Sequence, residues 1–335
     1  MAIRNFSYTR VALSLFTVIV VAACQTAPPA HQLPARTTHP QPAPVVVPGM
    51  PSQPPPLTQT LPPQEPPKPE QPATPPVREE PRKVAVILGP GGAKAFAHVG
   101  VLKSLQHQRI PIDKIIGLEW GALMAALYAD KGQVNDVEWK LYKMEQKGLP
   151  MPKGFFSSHK LGDESVKVMD EFLQESFGSD DASRLHVPYA CPSRSVWTGV
   201  VAWQTKGALK DAVKRCLAFP PLFKASGTFL AGASQALEAI DLLRREGYNT
   251  IILVNVLGSA LPVAQDSLLD YLNYVILWQE IKRAIVEASR YNVEYVNVDT
   301  SAYPMVQFES KKELISLGEK EGNAAAQILI NKYGF

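Results

Sequence analysis

Cysteine is scarce in this 335-residue sequence, which holds only Cys24, Cys191 and Cys216. So few exclude a disulfide-built scaffold. An oxidising compartment would let Cys191 and Cys216 pair, but both lie in apolar surroundings, and two buried free thiols are the expectation. The six histidines show no metal-ligand spacing, so neither a metal site nor any other cofactor is expected. Net charge is a modest +3, with part of it in the N-terminal segments, and no basic run marks a nucleic-acid partner. Internal repeats are absent, which excludes solenoids and propellers.

What is present first is an N-terminus with Arg4 and Arg10, the apolar run Val11 to Val20, and small residues up to Cys24. A charged start, a short apolar core and small residues describe a secretory signal peptide, here residues 1–23. The run is too short for a comfortable permanent span. Val21-Ala22-Ala23-Cys24 resembles the bacterial lipobox, which implies a lipidated Cys24 as the mature N-terminus and membrane attachment through it. Gln25 after the cysteine implies, by the lipoprotein sorting rule, the outer membrane of the cell envelope. From Ala27 to Arg82 lie 20 of the 30 prolines, with almost no aromatics. Such a segment cannot bury enough apolar surface to order itself. Residues 24–82 are therefore expected to act as a semi-rigid polyproline tether, reaching on the order of 150 Å when extended.

Residues 83–335 suffice for one well-cored α/β domain. Lys83 to Leu88 reads as a buried strand ended by Gly89-Pro90. Ala93 to Gln108 has helical spacing, with Phe96, Val99, Leu102 and Leu105 on one stripe. Ile110 to Ile116 reads as a second strand, followed by a helix through Leu123, Ala126 and Leu127. This alternation implies right-handed βαβ units and a largely parallel sheet. Strands are further expected at Val187 to Ala190, Val196 to Trp203 and Thr250 to Leu257, with a helix around Ala236 to Glu246. Leu268 to Ser289 and Lys312 to Lys332 read as amphipathic helices. In the first of these, Tyr271, Tyr274, Val275, Trp278, Ile281 and Ile285 are expected to pack on the sheet.

Two glycine-flanked turns stand where chemistry would sit. The first is Gly89-Pro90-Gly91-Gly92-Ala93-Lys94, continuing through His98 to Leu102. It lacks the spacing of a phosphate-binding P-loop, and Lys94 stands where a dinucleotide fingerprint needs its third glycine. The second is Gly117-Leu118-Glu119-Trp120-Gly121, directly after a strand and opening a helix. Glycines two residues either side of a central position let the backbone turn sharply enough to project that side chain, the geometry of a nucleophile elbow. The projected residue here is Glu119.

With these motifs, Val84 to Ala129 resembles the start of a patatin-like phospholipase domain, and the resemblance continues through Pro220 to Phe223, Phe229 to Ala233 and Ile251 to Val256. It implies a three-layer α/β/α sandwich around a mostly parallel sheet. It also implies an oxyanion turn, with Gly91, Gly92 and Lys94 as its remnant, and an elbow at Gly117, Glu119 and Gly121. Family members carry a serine nucleophile activated by an aspartate; those two positions hold Glu119 and Ala231. Pro90 stands where the first turn glycine belongs and offers no amide hydrogen. Trp120 replaces a small residue and is expected to fill part of the substrate channel. Attack by Glu119 on an ester would form a mixed anhydride, and Ala231 cannot accept a proton.

The resulting expectation is a pseudoenzyme: a lipid-anchored envelope protein with a binding or scaffolding role, holding a protein partner or a lipid-like ligand in its vestigial cleft. The alternative is an acyl-ester or phospholipid hydrolase using non-standard residues. Glu119 itself is expected to be solvated or paired with Lys94 or His98, or, in a sharper version, to form with Lys94 a site for a cationic or zwitterionic group.

Overall fold

In the computed structural model, β1 (Val84–Leu88) is an all-buried run of Val, Ala, Ile and Leu at the middle of the sheet. The structure describes residues 82–147, 163–219, 225–258, 268–305 and 307–335. The expected signal peptide, Cys24 and nearly all of the tether lie outside them, as do Pro220 to Phe223. After β1 the chain forms α1 (Ala97–His107), β2 (Lys114–Gly117), α2 (Trp120–Lys131), α3 (Val134–Lys147) and α4 (Asp163–Phe177). It continues through β3 (Tyr189–Ser195), β4 (Val201–Gln204), α5 (Leu209–Leu217), β5 (Phe229–Ala231) and α6 (Ala236–Arg245). The last elements are β6 (Thr250–Asn255), α7 (Leu268–Ala288), β7 (Glu294–Asn297) and α8 (Lys311–Tyr333).

The strands join in the order β4-β3-β2-β1-β6-β7, with β5 also pairing β3. β1, β2, β3, β6 and β7 run parallel, and β4 and β5 pair antiparallel against β3. A parallel sheet must be covered on both faces, so its strands read as continuous apolar runs. β1 shows how the two faces are served. Val84, Val86 and Leu88 enter a core shared with α1 to α5 and α8, while Ala85 and Ile87 enter a second core shared with α6 and α7. This is the mixed α/β architecture expected, with the sheet between two helical layers.

The details differ from the sequence pattern in several places. The second strand starts at Lys114 rather than Ile110, because Asp113 turns the chain and its carboxylate accepts the Val84 amide at 2.7 Å. Val196 to Trp203 is not one strand. β3 runs on to Ser195 and the chain reverses through Val196–Val200, where Gly199 takes a φ of 69°. Helix α1 begins only at Ala97, because the preceding Gly92–Phe96 turn is a tight 3-10 segment. Helices α3, α4 and α5 and strand β7 were not anticipated from the apolar pattern. In α7, Ile281 and Ile285 are buried and Trp278 packs half-buried against the same core, as expected; the side chains of Tyr271, Tyr274 and Val275 lie outside the described set.

Cys191 and Cys216 are joined in a disulfide, which corrects the expectation of two free thiols. Both are fully buried in the same core, so burial was read correctly. What the apolar surroundings concealed is that α5 lies against β3 with the two Cα atoms 6.2 Å apart, a distance one bond spans. Helices α1 and α8 meet backbone to backbone. A Cβ on Gly318 would lie 1.8 Å from the Ala97 carbonyl oxygen, and one on Gly100 would lie 2.0 Å from that of Ile315. Ser104 completes the contact by donating to the Glu319 carbonyl at 2.9 Å.

Candidate functional site

The elbow is built where β2 hands over to α2. Glu119 sits at φ 52° and ψ −124°, a region L-residues rarely enter, and caps the start of α2. Its flanking glycines are steric requirements. A Cβ on Gly117 would lie 2.3 Å from the Ala122 Cα, and one on Gly121 would lie 2.4 Å from the Leu88 carbonyl oxygen. The backbone of a nucleophile elbow is therefore present in full, with a carboxylate at its apex.

The glycine turn after β1 faces that apex. Gly89 donates to the Val254 carbonyl at 2.9 Å, and Ala93 donates to the Met305 carbonyl at 2.7 Å, which pins the turn at both ends. Gly92 has a φ of 56° and no room for a Cβ, which would fall 2.4 Å from the Met305 carbonyl oxygen. With its ends held, the turn points the amides of Gly91 and Gly92 inward. Both donate to one oxygen of Glu119: Oε2 lies 3.0 Å from the Gly91 nitrogen and 2.9 Å from the Gly92 nitrogen. Glu119 is fully buried, and its Oε1 makes no hydrogen bond. Burial pushes its pKa up, opposed by the amides of Gly91, Gly92 and Trp120.

Glu119 is thus neither solvated nor paired with Lys94 or His98, which corrects that expectation. Lys94 is fully buried and donates to the Leu257 carbonyl at 2.8 Å instead. Its pKa is lowered to about 8, first by burial and then by the Lys282 ammonium, with Asp299 opposing. His98 places Nε2 2.8 Å from the Gly89 carbonyl oxygen, which can only accept, so Nε2 carries the hydrogen. Burial lowers its pKa to about 4, which keeps the ring neutral while its Nδ1 makes no hydrogen bond.

Ala231 ends β5 opposite Ser193 of β3, and its amide donates to the Ala218 carbonyl at 2.8 Å. No base stands at that position. Ser193 is itself buried and engaged, accepting from Gln204 at 2.9 Å, so it is not a substitute nucleophile held ready. Trp120 fills the volume beside the elbow. It is fully buried, with Phe308 at 4.7 Å and Phe96 at 6.4 Å between ring centroids. Phe308 and the Met305 carbonyl were missed from sequence. They arrive from a segment far along the chain, and nothing near the elbow signals them.

The elbow and the glycine turn thus meet beside a mostly parallel sheet. The patatin-like phospholipase family model matches residues 86–233, a stretch that includes the turn, the elbow and Ala231. Over that stretch the chain is similar to patatin-like phospholipases. It is similar to the neuropathy target esterase sws of Drosophila persimilis, 29% identical over 148 residues, and to that of Drosophila melanogaster at 28%. These alignments cover 42% of this chain and only 10% of each relative, so the chain spans about a tenth of their length. Among solved structures, VipD from Legionella pneumophila aligns over 75% of this chain and 67% of its own, at 12% identity and a TM-score of 0.39. The type III effector ExoU aligns over 74% and 53%, at 12% identity and a TM-score of 0.37.

Proposed function

We propose that this chain is a patatin-like protein without acyl-hydrolase activity, a lipid-anchored envelope protein whose role is binding or scaffolding. The observation that carries this reading is the seating of Glu119 Oε2 on the Gly91 and Gly92 amides. Ester hydrolysis on this fold requires a nucleophile, a base and free amides to receive the oxyanion. Glu119 stands in place of the first, Ala231 in place of the second, and the Glu119 carboxylate occupies the third. Losing one member of such a catalytic unit already costs orders of magnitude in rate, and losses compound little after that. Because Glu119 and Trp120 are both fully buried, the closed elbow favours a binding surface elsewhere on the domain over a ligand in the vestigial cleft.

The test is hydrolysis of short- and long-chain acyl esters and phospholipids by the wild type, Glu119→Ser, and Glu119→Ser combined with Ala231→Asp. The expected result is no turnover by the wild type and measurable turnover by the double variant. Wild-type turnover that Glu119→Ala abolishes would sink the reading and support a hydrolase with unorthodox residues. Anchoring is tested by fractionating cells: Cys24→Ala should move the protein from the membrane fraction to the soluble one.

A further inference from the structure

The modest net charge hides an uneven distribution. Residues 182–237 contain seven lysines and arginines against a single acidic residue, Asp211. Within this stretch β3 and β4 form a hairpin whose tip is the most apolar exposed feature among the described residues. Trp197 is 81% exposed, Val200 63% and Val196 45%. Large apolar side chains clustered in water mark an interaction site rather than ordinary surface scatter.

The tip is held in shape. Ser195 donates to the Val200 carbonyl at 3.0 Å, Gly199 donates to that of Ser195 at 2.9 Å, and Val196 donates to that of Thr228 at 2.8 Å. The aromatic is thus presented on a braced turn, and little ordering entropy would be lost on docking. Its position follows from strand register. The last β2–β3 pair is Ile116 with Ala190, and β3 then continues alone with β4 and β5 to Ser195. At about 3.3 Å per residue the tip stands roughly 15–20 Å beyond that pair, past the carboxyl edge of the sheet where Glu119 and the glycine turn lie. Two cations sit at its base. Arg194 is exposed on β3, and Arg215 lies 5.4 Å from the ring of Phe229, the residue paired with Ser195.

We propose that the Val196–Val200 tip is a membrane-docking element that seats the carboxyl edge of the sheet on a bilayer containing anionic phospholipid. A tryptophan between two valines, with arginines behind it, matches the layering of a lipid interface: apolar contact first, then cations at headgroup depth. A second copy of the chain is the wrong occupant on electrostatic grounds, since two such tips would bring like charges together. The tip is separate from the elbow, so activity assays and this test fail independently.

The test uses the full chain with Cys24→Ser in every arm, so that no anchor contributes differentially. Tryptophan fluorescence is followed on adding vesicles of brominated phosphatidylcholine, with or without phosphatidylglycerol. Residues 1–82 contain no tryptophan, so the signal reports the folded domain. Quenching should be strong with phosphatidylglycerol, fall with salt, and largely vanish in Trp197→Phe while persisting in Trp139→Phe, which removes the other exposed indole. In a flotation assay Trp197→Ala should weaken binding by roughly tenfold or more, and Arg194→Ser by roughly fivefold. Unchanged quenching in Trp197→Phe, loss of quenching in Trp139→Phe, or no quenching of the wild type would each overturn the proposal. So would concentration-dependent dimerisation that Trp197→Ala abolishes without any vesicle effect.

Discussion

Glu119 Oε2 lies 2.9 Å from the amide nitrogen of Gly92, so the residue at the elbow apex supplies an oxygen to a backbone amide of the glycine turn. The contact is intramolecular and buried, and it holds the elbow and the glycine turn together across 27 residues of sequence. Two amide donors favour charge on the carboxylate, whereas complete burial disfavours it, and burial wins.

That balance has a pH signature. Because the folded state raises the Glu119 pKa above 4.5, it binds the proton more tightly than the unfolded chain does. The associated stability is complete below about pH 4.5 and is lost as pH rises through the folded value. Glu119→Gln has no such proton to lose, so its urea midpoint should gain on the wild type as pH increases from 4.5. A difference that stays constant between pH 4 and 8 would show that Glu119 does not carry this linkage.

His98 works in the opposite direction. Its pKa falls from 6.5 to about 4 on folding, so its stabilising contribution is present above pH 6.5 and is lost as pH drops toward 4. The full swing is about 3 kcal/mol. In His98→Gln the decline of stability between pH 6.5 and 4 should flatten, read by urea titration at each pH. An unchanged slope would assign acid sensitivity to other groups.

The disulfide closes a loop with a sequence separation of 25. Chain-entropy arguments give it about 3 kcal/mol of stabilisation. Reduction, or the Cys191→Ala and Cys216→Ala pair, should lower the Tm by several degrees while leaving the far-ultraviolet circular dichroism unchanged at 20 °C. Insensitivity of the Tm to reductant would mean the bond adds nothing to the folded state.

Gly318 and Gly322 are expected to differ sharply when changed to alanine. In an open helix, alanine would stabilise by up to about 1 kcal/mol. At Gly318 the added methyl meets the Ala97 carbonyl at 1.8 Å, whereas at Gly322 its nearest neighbour, the Val101 Cα, is 2.8 Å away. Gly318→Ala should therefore cost about 2–4 kcal/mol, and Gly322→Ala clearly less, by chemical denaturation. A stabilising Gly318→Ala would refute the backbone contact between α1 and α8.

Much of the front half of the domain was legible because its signals are local. β1 is a continuous apolar run and α1 follows with helical spacing. Gly117 and Gly121 bracket a strand-to-helix turn that only glycine permits. Ala231 was singled out only because the resemblance implies an aspartate at that position. The hairpin was misread because Val196 and Trp197 are strand-forming types, and their β-propensity gives way to the turn closed by Gly199. Helices α3 to α5 were passed over although their apolar stripes are regular; in α5, Leu209, Ala212, Val213, Cys216 and Leu217 recur at helical spacing and are all buried.

Sequence alone determined the elbow, its abnormal apex residue and the α/β alternation, since each depends on residues a few positions apart and on backbone sterics. Tertiary structure alone decided where the Glu119 carboxylate goes, that Lys94 and His98 turn to backbone carbonyls, that Cys191 meets Cys216, and that Phe308 closes over Trp120. Each of those pairings joins groups on separate elements, and side-chain chemistry permits several partners for each. Packing of the sheet between its two helical layers selects one.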